Sequence, residues 1–461
     1  MTAETRIKGT WWSPESPDKK LPGELTYSST GGAQLDLYDY FFDTPDDSAL
    51  RRQFTDWRIT ANGKPATLFK CHTRNLSMHL PGAKSARIST CFGVLGGHFS
   101  APSEMKFCEM ICELTNLADW AARSGIRVQL DQSAHTTTFT FRVPEDVSLG
   151  ECNGVRVRLV FSGNVSHEQH GYRLREDCKL VVESDELVSC EVFDELVGKL
   201  QHFFAIGIGR AVYRTSTIAH IDQPKFMVET TPVYEDFEFI RKIDLPVDAG
   251  ELLLAMQMPF SLAALEPQPA LILAAYLDKH ARLDPVYDLY FSTLYNRDMP
   301  TRQRFLSLAH ALEAYHRAFI GGKYVTDEDY ERDIKPLFLR AIPEELEPNF
   351  KVSLRNKLKY LHEFSLRKQV QDVCARFENL LSKLCGDPKS FSNRVSDTRN
   401  RLTHPDANAP CEMDWKELWL LSEQVALVLS LCLLHELGFA VERIRVMLNN
   451  NRHARAIFLN R

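Results

Sequence analysis

Phe391-Ser-Asn-Arg-Val-Ser-Asp-Thr-Arg-Asn-Arg-Leu-Thr-His-Pro-Asp406 decides the reading of this 461-residue chain. The stretch reads as a helix from Phe391 to His404, stopped by Pro405. Proline disfavours helical backbone at the residue before it and cannot itself continue the hydrogen-bond ladder. His404 is therefore expected at the helix C-terminus, where the macrodipole favours positive charge. Arg399, Asn400 and His404 spell R-N-x-x-x-H along it. An arginine and a histidine held together at a helix end can cut RNA without a metal, because the histidine moves protons and the arginine neutralises phosphate charge.

The spelling alone does not decide. Arg74-Asn75-Leu76-Ser77-Met78-His79 has the same form, and Arg214 with His220, Arg304 with His310 and Arg355 with His362 are looser pairs. Context separates them. Arg74 to His79 lies among expected strands, just before Pro81-Gly82. Arg399 to His404 closes a helix among helices.

From Pro300 onward the chain reads as a five-helix bundle. Arg302 to Phe319 carries apolar residues at helical spacing and ends at Gly321-Gly322. Pro348 to His362 and Leu366 to Cys385 follow, then Phe391 to His404. Asp414 caps a long apolar helix through Leu437, and Gly438 ends it. That last helix holds the longest apolar run, Leu418 to Ala440, but Glu423, Gln424, His435 and Glu436 interrupt it. It is expected as a buried core helix rather than a membrane span.

The front of the chain reads as strands. Asn62-Gly63 sits between Phe54–Ile59 and Ala66–Cys71, and Asn153-Gly154 between Thr136–Val143 and Val155–Phe161. Asn-Gly accepts the positive φ that a type I′ hairpin requires. His135 to Arg142 alternates like a half-buried strand, and Phe107 to Ser124 is expected to add one helix. The sum is an antiparallel, sandwich-like or barrel-like domain. Between the two parts, Phe193 to Ile208 reads as helix and Val228 to Ile243 as extended. Leu252 to Tyr276 reads as helix broken at Pro259 and near Pro267 and Pro269. The expected layout is α+β and multidomain: β-rich 1–195, a mixed connecting region 196–300, and a helical bundle 301–461.

Composition sets bounds. Hydrophobic content of 44% and charged content of 25% are globular values. The start of the chain has no apolar signal region, so a cytoplasmic location is expected. The 11 cysteines are irregularly spaced with no C-x-x-C pair. Cys71, His72 and Cys91 are conceivable ligands, but reduced core thiols are the better reading, and no metal or cofactor is expected. P-loop, Rossmann and zinc-hydrolase signatures are absent. The net charge of −6 is uneven: residues 301–461 carry 25 Lys+Arg against 21 Asp+Glu, +4, and the first 300 carry 30 against 40, −10. The mildly basic C-terminal part suits a polyanion.

These residues resemble a known family. The C-terminal helices resemble the HEPN superfamily, whose ribonucleases carry an R-x4–6-H motif, and more closely the ApeA-type anti-phage proteins. The resemblance is carried by Phe305 to His316, by Leu358 to Val370 and by Val395 to His404. At the front, Ile7-Lys-Gly-Thr-Trp-Trp-Ser-Pro-Glu15 with Gly23 to Tyr27, Gly96-Gly-His-Phe99, Met105 to Phe107 and Leu117 to Trp120 are similar to the ApeA N-terminal domain. The resemblance implies a metal-independent endoribonuclease acting in abortive infection. It implies Arg399 and His404 as catalytic residues, assisted by Asn400, and Glu313 as a carboxylate aimed at the active-site arginine. The expected partners are single-stranded RNA or transfer RNA loops, a phage-encoded trigger, and a second copy through the HEPN domain; neither DNA nor membrane is expected. Arg399 and His404, five residues apart, fall roughly 140° apart on an ideal helix, so a composite site across a homodimer is favoured. The alternative reading is a non-catalytic HEPN protein that binds RNA or nucleotide, or only dimerises, with a ligand-sensing β domain.

Overall fold

The computed structural model describes residues 4–13, 16–28, 30–39, 53–61, 64–79, 83–133, 135–169, 171–222, 225–228, 231–377, 380, 386–404 and 414–459. The chain divides into two compact units, 1–277 and 278–461.

Six strands of the first unit close into a ring: β1 (Thr5–Ser13), β2 (Ser16–Ser28), β3 (Gly32–Leu37), β4 (Gln53–Ala61), β5 (Lys64–His79) and β6 (Ala83–Thr90). All neighbours are antiparallel, in the order β1-β2-β3-β6-β5-β4 and back to β1. Closure depends on the length of β5, whose first half pairs with β4 and whose second half pairs with β6. Trp11, Leu25, Leu35, Leu37, Ala66, Leu68, Cys71 and Ile88 form the core of this barrel. The Asn62-Gly63 turn lies outside the described residues, but Ala61 pairs with Lys64 across it, as a two-residue hairpin loop requires.

The sheet continues beyond the ring as an open antiparallel layer. It adds β7 (Phe92–Leu95), β8 (Lys106–Leu114), β11 (Val147–Cys152), β12 (Val155–Glu168), β13 (Gly171–Ser189), β14 (Arg214–His220) and β17 (Phe237–Arg241), in the order β7-β17-β14-β8-β13-β12-β11. The helices α1 (Leu117–Ala121) and α2 (Cys190–Ile208) pack on it, and Trp120, Phe203, Phe204 and Phe260 interlock edge to face beside it. Two ribbons stand apart: β9 (Ile126–Asp131) with β10 (Thr136–Phe141), and β15 (Phe226–Val228) with β16 (Thr231–Val233).

The structure corrects several expectations here. Phe107 to Ser124 is strand β8 followed by the short α1, because its apolar residues alternate against β13 and β14. Asn153 and Gly154 adopt φ of 51° and 77°, as a type I′ turn needs, but they join β12 to β11 rather than to Thr136–Val143. β10 is a strand, yet it is exposed along almost its whole length, because its one partner is β9.

The second unit is helical, as the sequence predicts. After α3 (Pro269–Tyr295), within which the division falls, come α4 (Thr301–Phe319), a short helical passage Asp327–Ile334 and α5 (Lys335–Arg340). They are followed by α6 (Pro348–Leu358), α7 (Leu366–Arg376), α8 (Pro388–Thr403), α9 (Trp415–Glu436), α10 (Val441–Asn450) and α11 (Arg452–Leu459). The helix expected at Leu252–Tyr276 is instead α3, which starts at Pro269 and runs through Pro285; Leu252 to Gln268 holds only short 3-10 turns. α6 ends at Leu358 and α7 at Arg376, each before the expected limit; Cys385 lies outside the described residues.

The caps are where the sequence puts them. Asp414 accepts from Lys416 N at the start of α9, and Gly438 follows its end with φ of 94°. Among the described residues α9 is the one helix long and apolar enough to cross a membrane, and 67% of its apolar window is buried inside the protein. It forms the centre of the bundle, packed mainly against α4.

Candidate active site at the end of helix α8

Helix α8 is built to hold its last turn in place. Asp387 caps its start by accepting from Ser390 N at 2.8 Å, and Pro388 fills the first turn, where a missing N–H costs nothing. Phe391, Ser392, Val395, Ser396 and Thr398 are buried, and the helix packs against α7 and α4. Arg399, four residues after Val395, lies half-buried beside that packed face, and Asn400 is exposed.

The helix ends as expected. Thr403 Oγ1 donates to the Arg399 carbonyl at 2.9 Å, a local backbone bond. His404 N still reaches the Asn400 carbonyl at 2.9 Å, but its φ of −131° and ψ of 70° have left the helical region. Its imidazole is exposed and has no side-chain partner among the described residues. Pro405, and Asp406 as a group that would tune His404, lie outside the described residues.

Arg399 has an unusual environment for an arginine. Its Nη1 donates to Asn400 Oδ1 at 3.2 Å. Its Nε is sealed from solvent with no hydrogen-bond partner, and no carboxylate pairs with the guanidinium among the described residues. A buried N–H without a partner normally costs about 1–3 kcal/mol, so this arginine is held at a cost. Within one chain the structure brings Arg399 to Asn400. No hydrogen bond joins Arg399 to His404 among the described residues.

The remaining candidates fall elsewhere. Glu313, on α4, pairs with Arg317 at 3.1 Å, and Arg317 also reaches Glu363 at 3.2 Å; no ion pair joins Glu313 to Arg399 among the described residues. His316 is buried, with Nε2 3.3 Å from Asp372, and burial holds its pKa below the ordinary histidine value, so it is a neutral packing residue. His310 is exposed. Asp397 pairs with Arg367 at 3.0 Å. The competing Arg74 sits on β5 and donates to Ser89 Oγ at 2.9 Å; the side chain of His79 is outside the described set. Cys71 is buried in the barrel while His72 and Cys91 are exposed, and no group of three metal-ligating side chains occurs among the described residues.

Sequence reasoning missed a polar knot elsewhere in the bundle. Tyr315 donates to Glu436 Oε1 at 2.8 Å, Arg376 Nη1 donates to Tyr315 Oη at 2.8 Å, and Lys279 reaches Glu436 Oε2 at 3.0 Å. The signal was Glu436 itself, an acid inside an apolar run, which in a buried helix requires cationic partners.

A β-rich domain followed by a helical bundle ending a helix in R-N-x-x-x-H is the layout of a HEPN-type defence protein. HEPN domains are in general ribonucleases, so at that coarse level the chain is of the endoribonuclease class. The family models match in the same order: ApeA N-terminal domain 1 over residues 6–240 and the Apea-like HEPN domain over residues 306–443. The chain belongs to the ApeA family. Comparison with the curated proteins and with the solved structures finds no match.

Proposed function

We propose that the protein is a metal-independent endoribonuclease that cuts single-stranded RNA, with transfer RNA loops as the favoured target. The observation that carries the reading is the Arg399 guanidinium. It is half-buried, anchored by Asn400, without a paired acid among the described residues, and five residues before an exposed histidine. A guanidinium with no carboxylate is suited to a phosphodiester, whose geometry it matches with two parallel N–H groups.

In the proposed reaction, His404 withdraws the ribose 2′-OH proton as the 2′-oxygen attacks the adjacent phosphorus. The P–O5′ bond breaks, and the 5′-oxygen takes a proton from an acid. The products are a 2′,3′-cyclic phosphate and a 5′-OH. Arg399 neutralises the charge that grows on the non-bridging oxygens. Asn400 fixes the guanidinium. DNA lacks the nucleophile. Five residues apart, Arg399 and His404 diverge by roughly 140° on an ideal helix, so in this reading two copies facing each other supply the set, with one His404 as base and the other as acid. Unstacked loop bases leave the attacking geometry accessible. The acidic N-terminal part is the candidate restraint, released by a phage-encoded trigger.

The test is cleavage of labelled single-stranded RNA and total transfer RNA in EDTA by wild type and His404→Ala, with the solution mass measured in parallel. Discrete cuts ending in 2′,3′-cyclic phosphate, lost in the variant, support the assignment. Equal cleavage by the variant sinks it. A dimer with no cleavage, with or without phage-infected lysate, favours a HEPN binding protein instead.

A further inference from the structure

Strands β14 and β17 pair at only one end. Their ladder runs through Ala219↔Phe237 and Ile218↔Glu238 and stops there, although β14 continues back to Arg214 and β17 on to Arg241. Each then follows its other neighbour: β14 stays on β8, with a register shift between Arg214 and Ser216, and β17 stays on β7. A cleft of about 160 Å³ opens where they part. It is lined by Arg214 to Thr217, by Glu238 to Arg241, and by Thr5, Tyr27 and Ser28 from the barrel. Strand parting leaves ladder groups on both sides facing the gap, which adds backbone donors and acceptors to the hydroxyls of Ser28, Thr215, Ser216 and Thr217.

The charges are arranged in two walls. On one, Asp194 of α2 bridges two guanidiniums, accepting from Arg214 Nη1 at 2.8 Å with one oxygen and from Arg241 Nη2 with the other. Asp194 is the one carboxylate paired with either arginine among the described residues, so this wall carries one positive charge in excess. Arg241 is held over the rings of Phe92 and Phe239, at 5.1 and 5.5 Å, and its Nε is buried without a partner. On the other wall, Tyr27 donates to Glu238 Oε1 at 3.0 Å. Burial, helped by that carboxylate, pushes the Tyr27 phenol up to about 12, so it remains a donor and Glu238 remains an acceptor. An oxyanion satisfies the arginine wall, and a hydroxyl donor satisfies the free Glu238 oxygen.

We propose that this cleft is a binding site for a phosphate monoester of a hydroxylated carbon skeleton, such as the ribose-phosphate part of a nucleotide. The phosphoryl group docks at Arg214 and Arg241, and a neighbouring hydroxyl donates to Glu238. The volume takes the phosphoryl group and the adjoining hydroxylated carbons and leaves the rest of the ligand in solvent. The two fixed guanidiniums present a pre-organised fork, for which phosphate is a better match than a point cation's partner would be.

The test is isothermal titration calorimetry of the full chain with ribose 5-phosphate, AMP and inorganic phosphate. Both esters bind saturably at one site per chain, and phosphate binds more weakly. Arg241→Gln lowers ester affinity about tenfold or more, as expected for losing a charge-assisted bond. Glu238→Gln, which keeps the shape and a partner for Tyr27, weakens the esters but not phosphate. This second variant decides the matter should Arg241→Gln unfold through Asp194. Absence of saturable binding by any probe overturns the proposal. So does equal binding of all three, or ester binding by a folded Glu238→Gln that matches the wild type.

Discussion

Tyr315 Oη lies 2.8 Å from Glu436 Oε1, tying the buried side of α4 to the last turn of α9. Arg376 on α7 donates to the same hydroxyl, so one phenol joins three helices of the bundle. The bundle that carries α8 is thus fixed by a directional contact as well as by apolar packing.

Removing that hydroxyl leaves a buried carboxylate one donor short and Arg376 with only its longer bonds to Glu436 Oε1, at 3.4 Å, and the Phe319 carbonyl, at 3.5 Å. Tyr315→Phe should destabilise the helical unit by about 1–3 kcal/mol. Urea unfolding followed by circular dichroism measures it, and an unchanged midpoint would show the hydroxyl contributes nothing.

Arg399→Lys keeps the charge but loses the planar fork and the bond to Asn400. Under the proposed reaction, cleavage should fall about 100-fold while thermal stability stays within about 0.5 kcal/mol, because the side chain has no ion pair to lose. Asn400→Ala should fall by a smaller factor. A Lys variant as active as wild type would remove bidentate phosphate recognition from the mechanism.

Gly154→Ala isolates backbone strain. Gly154 holds φ of 77° and nothing lies within 4 Å of where a Cβ would stand, so no clash contributes. A loss of about 1 kcal/mol is expected, from the left-handed conformation alone. Hydrogen exchange should quicken in β11 and β12 before it does elsewhere.

His220 sits between Glu109, 2.8 Å from Nδ1, and Asp236, 2.9 Å from Nε2. The bond to Glu109, helped by Asp236, outweighs burial and raises its pKa above the ordinary 6.5. A histidine raised in the folded state contributes its full stabilisation below its unfolded value and loses it as pH climbs through the folded one. Stability of the β-rich unit should therefore fall as pH rises from about 6.5 through the raised folded-state value, and His220→Gln should flatten the fall. Parallel curves for both proteins would contradict this.

Helix ends were legible because caps are local. Asp414, Gly438 and the His404-Pro405 pair announce their roles through the residues beside them, whereas the Asp387 cap, which starts α8 at Pro388, was not anticipated. What sequence left hidden is non-local. The alternation of β10 predicts a strand but cannot say that, among the described residues, it pairs with β9 alone in a two-stranded ribbon and is exposed along almost its whole length. No helix was expected between Tyr276 and Pro300, yet α3 runs on through Pro285 to Tyr295, with Tyr287, Tyr290 and Phe291 buried. In the same way Arg399, Asn400 and His404 could be named from order alone, whereas the absence of an acid beside Arg399 and the attachment of Glu313 to Arg317 are facts of three-dimensional neighbourhood.

The double pairing of β5 has a consequence for behaviour at high concentration. With the ring closed, β6 is paired on both sides from Ala86 to Ser89, and the large sheet keeps a single terminal strand, β11, among the described residues. That strand is interrupted by a register shift between Ser148 and Gly150, and Gly150 lies against Ala270 at the start of α3. Bulged and covered, it makes a poor template for a foreign strand. Aggregation by strand stacking is thereby diverted to the β9–β10 ribbon, where Leu130 and Phe139 stand 73% and 71% exposed. Placing charge on that ribbon is the direct route to a more soluble protein.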